Sequence, residues 1–248
     1  MIEKDIGFIL KRFNYGETSV IAIIYSKRFG KIKGIFKGFY TRKKEFSTTL
    51  DIFSLNEFVF YPKESEIWLV SEAELIDGFS RLGKDLEMAK AAGIVFNMLD
   101  KAMELWDQNQ YIFDLALRSI TLIEKGKTKA LFLFLIKFLT LAGIKPELNH
   151  CIICQSLISG PLFFSTSRGG LLCRGCCGKD QSYKPVSREA SKTFSYIQNN
   201  SLAAAGRVAL SPRCQEEILN IIGKFLEYHF NISLTGQTRG GLKAAALA

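Results

Sequence analysis

Gly30-Lys31-Ile32-Lys33-Gly34-Ile35-Phe36-Lys37-Gly38 is the stretch that decides how the first third of this chain folds. Lys31, Lys33 and Lys37 share one parity, with Ile35 among them, and Ile32, Gly34 and Phe36 share the other. Successive side chains of a strand point to opposite faces, so the run predicts a strand with lysines outside and apolar residues toward an interior. Comparable runs, rich in β-branched and aromatic residues, predict strands at Gly7–Phe13, Ser19–Tyr25, Lys31–Phe36, Leu50–Tyr61 and Glu66–Glu74, with Gly16, Gly30, Gly38 and Pro62 in turns. Five short strands within residues 1–79 point to a small barrel, for which the five-stranded OB-fold is the obvious candidate.

Downstream of about Leu82 the period changes. Ala89, Ala92, Val95, Phe96 and Leu99 lie on one helix face. Tyr111–Glu124 and Thr128–Leu141 predict two further helices, divided by Gly126 and ended by Gly143 and Pro146. Ser187–Gln198 predicts another. Ser211-Pro212 opens the last, with Ser as N-cap and Pro at the first helical position, running to about Phe230. The apolar run Ala130–Ile144 is interrupted by Lys137 and Gly143 and is shorter than the roughly 18 residues a membrane span needs. Met1-Ile2-Glu3-Lys4-Asp5 has no secretory pattern, so the expectation is a cytoplasmic chain with reduced cysteines.

Between the helices lie Cys151-Ile152-Ile153-Cys154 and, after eighteen intervening residues, Cys173-Arg174-Gly175-Cys176. Two tight turns that each aim two sulfurs at one centre complete a tetrahedron, with Zn–S near ~2.3 Å. One structural zinc on Cys151, Cys154, Cys173 and Cys176 is therefore expected, against the alternatives of four reduced buried thiols or a disulfide pair. Cys177 competes with Cys176 for the fourth position. Four thiolates leave no open coordination position, which argues for a folding role rather than catalysis. Cys214 reads as a core thiol.

Enzyme signatures are missing. Gly126-Lys127-Thr128 ends like a phosphate-binding loop, but Thr121 stands where the first glycine is required. His150 and His229 are the two histidines, and neither sits in a metalloprotease pattern. The chain is expected not to be an enzyme.

The formal net charge of +9 over 248 residues favours a polyanionic partner. The window from Lys27 to Lys44 holds Lys27, Arg28, Lys31, Lys33, Lys37, Arg42, Lys43 and Lys44 without an acid. Cations for phosphates beside rings for bases are what a single-strand binder uses. The candidate contacts are Lys31, Lys33, Lys37, Phe39, Arg42, Lys43 and Lys44. The alternative is a solvated basic edge with Phe39 or Tyr40 tucked into the core.

Together these residues resemble a known family. Gly7 to Ser19, with Tyr15-Gly16-Glu17, resembles the opening of RecO proteins. Gly30-Lys31-Ile32 and Gly34–Gly38 resemble the next strand and basic loop, and Leu50 and Phe53 match apolar positions that follow. The cysteine array, with Gly169-Gly170 before Cys173, resembles the zinc module of many members. Gln155 stands where glycine is expected, Cys177 is extra, and Phe39 and Tyr40 replace smaller or basic residues. The resemblance implies a non-enzymatic recombination mediator of the RecF pathway. Such a protein binds single- and double-stranded DNA, promotes annealing, and acts with RecR and the single-strand-binding protein to load RecA. It implies a nucleoid-associated bacterial protein. A zinc-ribbon factor of transcription or RNA processing is the alternative.

The expected architecture is α+β and multidomain. An OB-fold nucleic-acid-binding domain covers 1–79, a helical domain lies in two parts at 80–147 and 183–235, and a four-cysteine zinc module at 148–182 is inserted between them. The Ala-rich tail 236–248 is expected to be flexible.

Overall fold

The computed structural model describes residues 2–41, 46–62 and 65–234. Arg42, Lys43, Lys44 and the tail 236–248 lie outside the described residues. The chain forms two compact units, 1–124 and 125–248.

In the first unit the strands are β1 (Glu3–Tyr15), β2 (Ser19–Ser26), β3 (Gly30–Phe36), the two-residue β4 (Phe46–Ser47), β5 (Leu55–Tyr61) and β6 (Ile67–Asp77). They follow the order β3-β2-β1-β5-β6-β4, and a parallel pairing of β3 with β6 closes the five long strands into a barrel of OB type. The alternation read from β3 is present: Ile32, Gly34 and Phe36 are buried while Lys33 and Ile35 face outward. Inside, Ile9, Val20, Ile24, Ile32, Phe58, Phe60 and Val70 form the core. Gly34 sits at the closing seam opposite Trp68, where an added Cβ would lie 2.8 Å from Val70 Cγ2. Only a residue without a side chain lets β3 and β6 approach there.

The expected strand from Leu50 begins instead at Leu55. Leu50 (φ 52°) and Phe53 (φ 81°) are left-handed, and Ser54 N donates to Asp51 O, so this segment is a turn. Alternating hydrophobicity does not report such a backbone.

Two helices belong to the same unit: α1 (Leu86–Ala102) and α2 (Gln110–Glu124). Asp85 caps α1 by accepting from Glu87 N and Met88 N, both at 2.9 Å. Phe8 and Tyr25 of the barrel meet Phe96 of α1 and Phe113 of α2 through ring contacts of 5.2–6.3 Å. The connection between the helices runs along β3, where Trp106 N donates to Lys31 O and the Trp106 ring lies 4.7 Å from Trp68.

The second unit contains α3 (Lys129–Leu141), β7 (Leu162–Ser165), β8 (Gly170–Leu172), α4 (Arg174–Cys177), β9 (Tyr183–Val186), α5 (Arg188–Asn199), α6 (Leu202–Gly206) and α7 (Pro212–Phe230). Leu131 to Ile136 of α3 are all buried. Its two lysines are employed as caps. Lys129 Nζ donates to Gly206 O and Val208 O at the end of α6, and Lys137 Nζ to Gln198 O and Asn200 O at the end of α5. A cation on terminal carbonyls satisfies orphan acceptors and opposes the helix dipole. That accounts for the lysine inside an apolar run. Ser187, Ser201 and Ser211 cap α5, α6 and α7.

The segment expected as a cysteine-bearing loop is ordered into a three-stranded sheet, β8-β7-β9, and the short α4. Strands of three or four residues are too short to show a period. The Ala-rich α6 likewise has no apolar stripe to announce it.

Candidate nucleic-acid interface and metal centre

The outer face of the barrel is built by register. Phe13 of β1 pairs with Ile21, Ile21 with Ile35, Ile35 with Leu69, and Leu69 with Tyr61. Paired residues share a face, so these five side chains form an apolar row crossing all five long strands. Phe13 (54% exposed) and Tyr61 (37%) are its open ends. Neighbouring rows carry the cations: Lys11 pairs with Ile23 and Ile23 with Lys33, while Tyr15 (57% exposed) and Lys37 lie beyond Phe13 and Ile35. Phe13 and Tyr15 lead into the β1–β2 turn and Tyr61 into the β5–β6 turn, the two loops that flank the ligand face of OB barrels.

The sequence-predicted cations fare differently. Lys33 Nζ pairs with Glu66 at 2.7 Å on the surface. Lys37 is exposed and enters no ion pair among the described residues. Lys31 requires correction as a phosphate ligand. Its Nζ donates to Asp100 O at 2.7 Å, and burial lowers its pKa, so the amine is spent on the last turn of α1. Lys11 adds an ion pair to Asp100 at 2.5 Å. Phe39 is half-buried and packs on Phe36 and Phe46 of the core, which corrects its reading as an open stacking ring. Tyr40 is exposed, with its hydroxyl donating to Asn14 Oδ1.

Sequence reasoning missed Lys11, Phe13 and Tyr15. A bulge between Ile9 and Lys11 resets the alternation of β1, so parity counted from Gly7 misplaces everything after it. On the opposite flank, Glu57, Glu72 and Glu74 surround an open cleft of about 360 Å³ with Lys4. Its carboxylates repel phosphate.

In the second unit the sulfurs of Cys151, Cys154, Cys173 and Cys176 all lie within 4.8 Å of one another, with Cys154 and Cys173 at 3.8 Å. A tetrahedral centre with bonds of ~2.3 Å sets its sulfurs ~3.8 Å apart, so the four fit a tetrathiolate site. None is in a disulfide. Cys177 Sγ turns away and donates to Arg174 O at 3.2 Å. Burial pushes the Cys151 thiol up, but amides of Cys154, Cys173 and Ile153 outweigh it and bring the pKa to about 6. Burial and the neighbouring thiols push Cys176 to about 12. Within the cluster, then, Cys151 ionises more readily than Cys176.

The first knuckle closes through Gln155 N donating to Cys151 O at 2.8 Å, with Gln155 left-handed at φ 60°. This explains why glycine is the expected residue there. Left-handed backbone costs a side-chain-bearing residue ~1–2 kcal/mol, while glycine costs ~0.5–1 kcal/mol in unfolded-chain entropy. Gln155→Gly is expected to raise stability by up to about 1 kcal/mol, read as a higher thermal midpoint with metal content unchanged.

Behind the centre, Asp180 ties the β7–β8 turn to the segment after α4. It accepts from Ser165 Oγ, from Ser182 N at 2.7 Å and from Ser167 Oγ at 3.2 Å. Burial raises its pKa, but these bonds prevail and lower it to about 2 from 3.8. The folded value is depressed, so the contribution is complete above pH 3.8 and lost as pH falls through about 2. Acid unfolding followed by circular dichroism should lose its steepest part in this window in Asp180→Asn.

Profiles described as Recombination protein O N terminal and Recombination protein O C terminal match residues 1–79 and 83–237. The chain belongs to the RecO family. Relatives named DNA repair protein RecO share 25% identity over 236 residues in Halalkalibacterium halodurans, covering 94% of this chain and 92% of that protein. Those of Alkaliphilus metalliredigens and Bacillus subtilis strain 168 are each 26% identical, covering 93% and 94% of this chain and 95% and 92% of their own length. Membership of the RecO family supports a role in recombination repair and an interaction with DNA. It speaks against the transcription or RNA-processing alternative. No helix among the described residues is long and apolar enough to cross a membrane.

Proposed function

We propose that this RecO family chain is a DNA-binding mediator of recombination repair that grips strands electrostatically and catalyses no covalent step. The observation carrying this reading is the barrel face on which Phe13, Tyr15 and Tyr61 stand beside Lys33 and Lys37. Rings offer stacking surfaces to unpaired bases and cations neutralise the backbone between them. Exposed ion pairs such as Lys33–Glu66 contribute only ~0–1 kcal/mol, so a phosphate can replace the carboxylate. Lys37, Arg42, Lys43 and Lys44 supply further phosphate contacts, and Lys31 holds α1.

Neutralising two strands removes the repulsion between them while their bases stay free to pair. The chain thereby promotes annealing of single strands, binds duplex product, and acts with RecR on DNA coated by the single-strand-binding protein so that RecA loads. One zinc held by Cys151, Cys154, Cys173 and Cys176 serves as architecture. The setting is the bacterial cytoplasm, at the nucleoid. The domains follow 1–79 for the DNA-binding barrel, 80–147 and 183–235 for the helices and 148–182 for the metal module, with 236–248 a flexible tail.

Annealing of complementary oligonucleotides by Lys37→Ala/Arg42→Ala/Lys43→Ala tests the assignment, with an expected slowing of at least about tenfold, as for lost phosphate contacts. Wild-type rates reject the surface. Capture of RecR by the chain on coated single strands tests the partners.

A further inference from the structure

The positive charge of this protein does not reside where its most basic window suggests. Residues 1–124 contain seventeen Lys and Arg against eighteen Asp and Glu, while residues 125–248 contain sixteen against six. The barrel unit is thus slightly acidic, and the second unit carries the whole excess. Within the second unit, residues 148–187 hold Arg168, Arg174, Lys179 and Lys184 with a single acid, Asp180. Asp180 is 8% exposed and occupied by Ser165, Ser167 and Ser182, with Arg168 as its one cationic neighbour.

Arg174, Lys179 and Lys184 are exposed and enter no ion pair among the described residues. They follow one another along α4, the turn after it and β9. Backbone bonds from Cys176 N to Cys173 O and from Lys179 N to Cys176 O lock this path onto the sulfur cluster. In contrast, every described cation from Lys4 to Lys33 has a carboxylate or carbonyl partner, and Lys37 alone in the described part of the basic window has neither among the described residues. A cation without an acid beside it is free to neutralise a phosphate, and the counterions thereby released from the nucleic acid drive binding.

We propose that the cysteine-centred module is a second polyphosphate-binding surface, with Arg174, Lys179 and Lys184 as phosphate ligands and a second nucleic-acid strand as occupant. This rests on the reading of the chain as a DNA binder. An acidic peptide fits less well, because docked peptides use apolar anchors and Leu157 is the one large exposed apolar side chain among described residues 148–187. Exposed cations along α4, the turn after it and β9 need only a run of phosphates to contact. One strand on each surface of a single chain turns annealing from an encounter of two complexes into an intramolecular search.

The test uses the full-length, metal-loaded chain with Arg174→Ala/Lys179→Ala/Lys184→Ala, a charge-keeping Arg174→Lys/Lys179→Arg/Lys184→Arg control, and the Lys37→Ala/Arg42→Ala/Lys43→Ala barrel variant. Oligo-dT binding is titrated with salt, and annealing of a complementary pair is timed. Unchanged metal content and thermal midpoint show that the variants fold. The alanine variant is expected to lose about 2 from the salt slope, roughly 0.7 for each phosphate contact, and to anneal at least tenfold more slowly. The charge-keeping control is expected to match wild type. A folded alanine variant with wild-type slope and annealing overturns the proposal. So does displacement of poly-glutamate, but not of oligo-dT, by the same substitutions. A barrel variant that alone loses binding removes the module, whereas a module variant that alone loses it removes the barrel assignment instead.

Discussion

Cys151→Ser is expected to strip the metal from the chain and melt the module around it. Cys151 is fully buried and forms, with Leu172 and Cys176, the small core on which Ile152, Ile158, Phe163 and Tyr183 pack. Few buried side chains surround the sulfurs themselves, and segments of such size depend on metals or disulfides. A structural zinc contributes apparent folding energy of about 10–16 kcal/mol in zinc-finger peptides. Loss of one thiolate forfeits most of it, since a serine hydroxyl does not ionise near neutral pH. Metal content should fall to background and amide-exchange protection should vanish from β7 to β9 while the barrel strands keep theirs. Cys177→Ser should leave both unchanged, because its sulfur already points to Arg174 O. Full metal loading of Cys151→Ser contradicts the tetrathiolate assignment.

The second large effect is expected at rings rather than charges. Phe13→Ala/Tyr15→Ala removes two exposed aromatic faces from the barrel. Each stacked base is worth ~1–3 kcal/mol, so affinity for an unstructured oligonucleotide should fall by about fivefold or more per ring. No phosphate contact is lost, so the dependence on salt should keep its slope. Neither ring is in the barrel core, so thermal stability should hold. Unchanged affinity, or a shallower slope, contradicts stacking at this face.

Much of this architecture is legible in the residues. The alternation of Lys31–Phe36 foretells the orientation of β3, Ser211-Pro212 the start of α7, and the paired cysteines their convergence. What escaped depends on backbone events without a periodic signature. The bulge after Ile9 turns Phe13 and Tyr15 outward, and left-handed Leu50 and Phe53 break a run that reads as strand. The fate of Lys31 is a tertiary matter. Its strand parity is right, yet the carbonyl that accepts its hydrogen bond lies 69 residues away, at the end of a helix docked on the same barrel. Charge was legible in total but misleading in place, because acids spread through residues 50–124 cancel a compact basic window, whereas the cysteine-bearing half has six acids against sixteen cations.

Every role proposed for this chain rests on one grip, that of cations on a phosphate backbone. Its most direct measurement is the binding constant of a single-stranded oligonucleotide as a function of salt for wild type and for Lys37→Ala/Arg42→Ala/Lys43→Ala/Lys44→Ala. The prediction is a steep linear fall of log K with log salt in wild type, made shallower by about 3 in the variant, at roughly 0.7 per phosphate released. A wild-type constant indifferent to salt, or a variant with the wild-type slope, contradicts it.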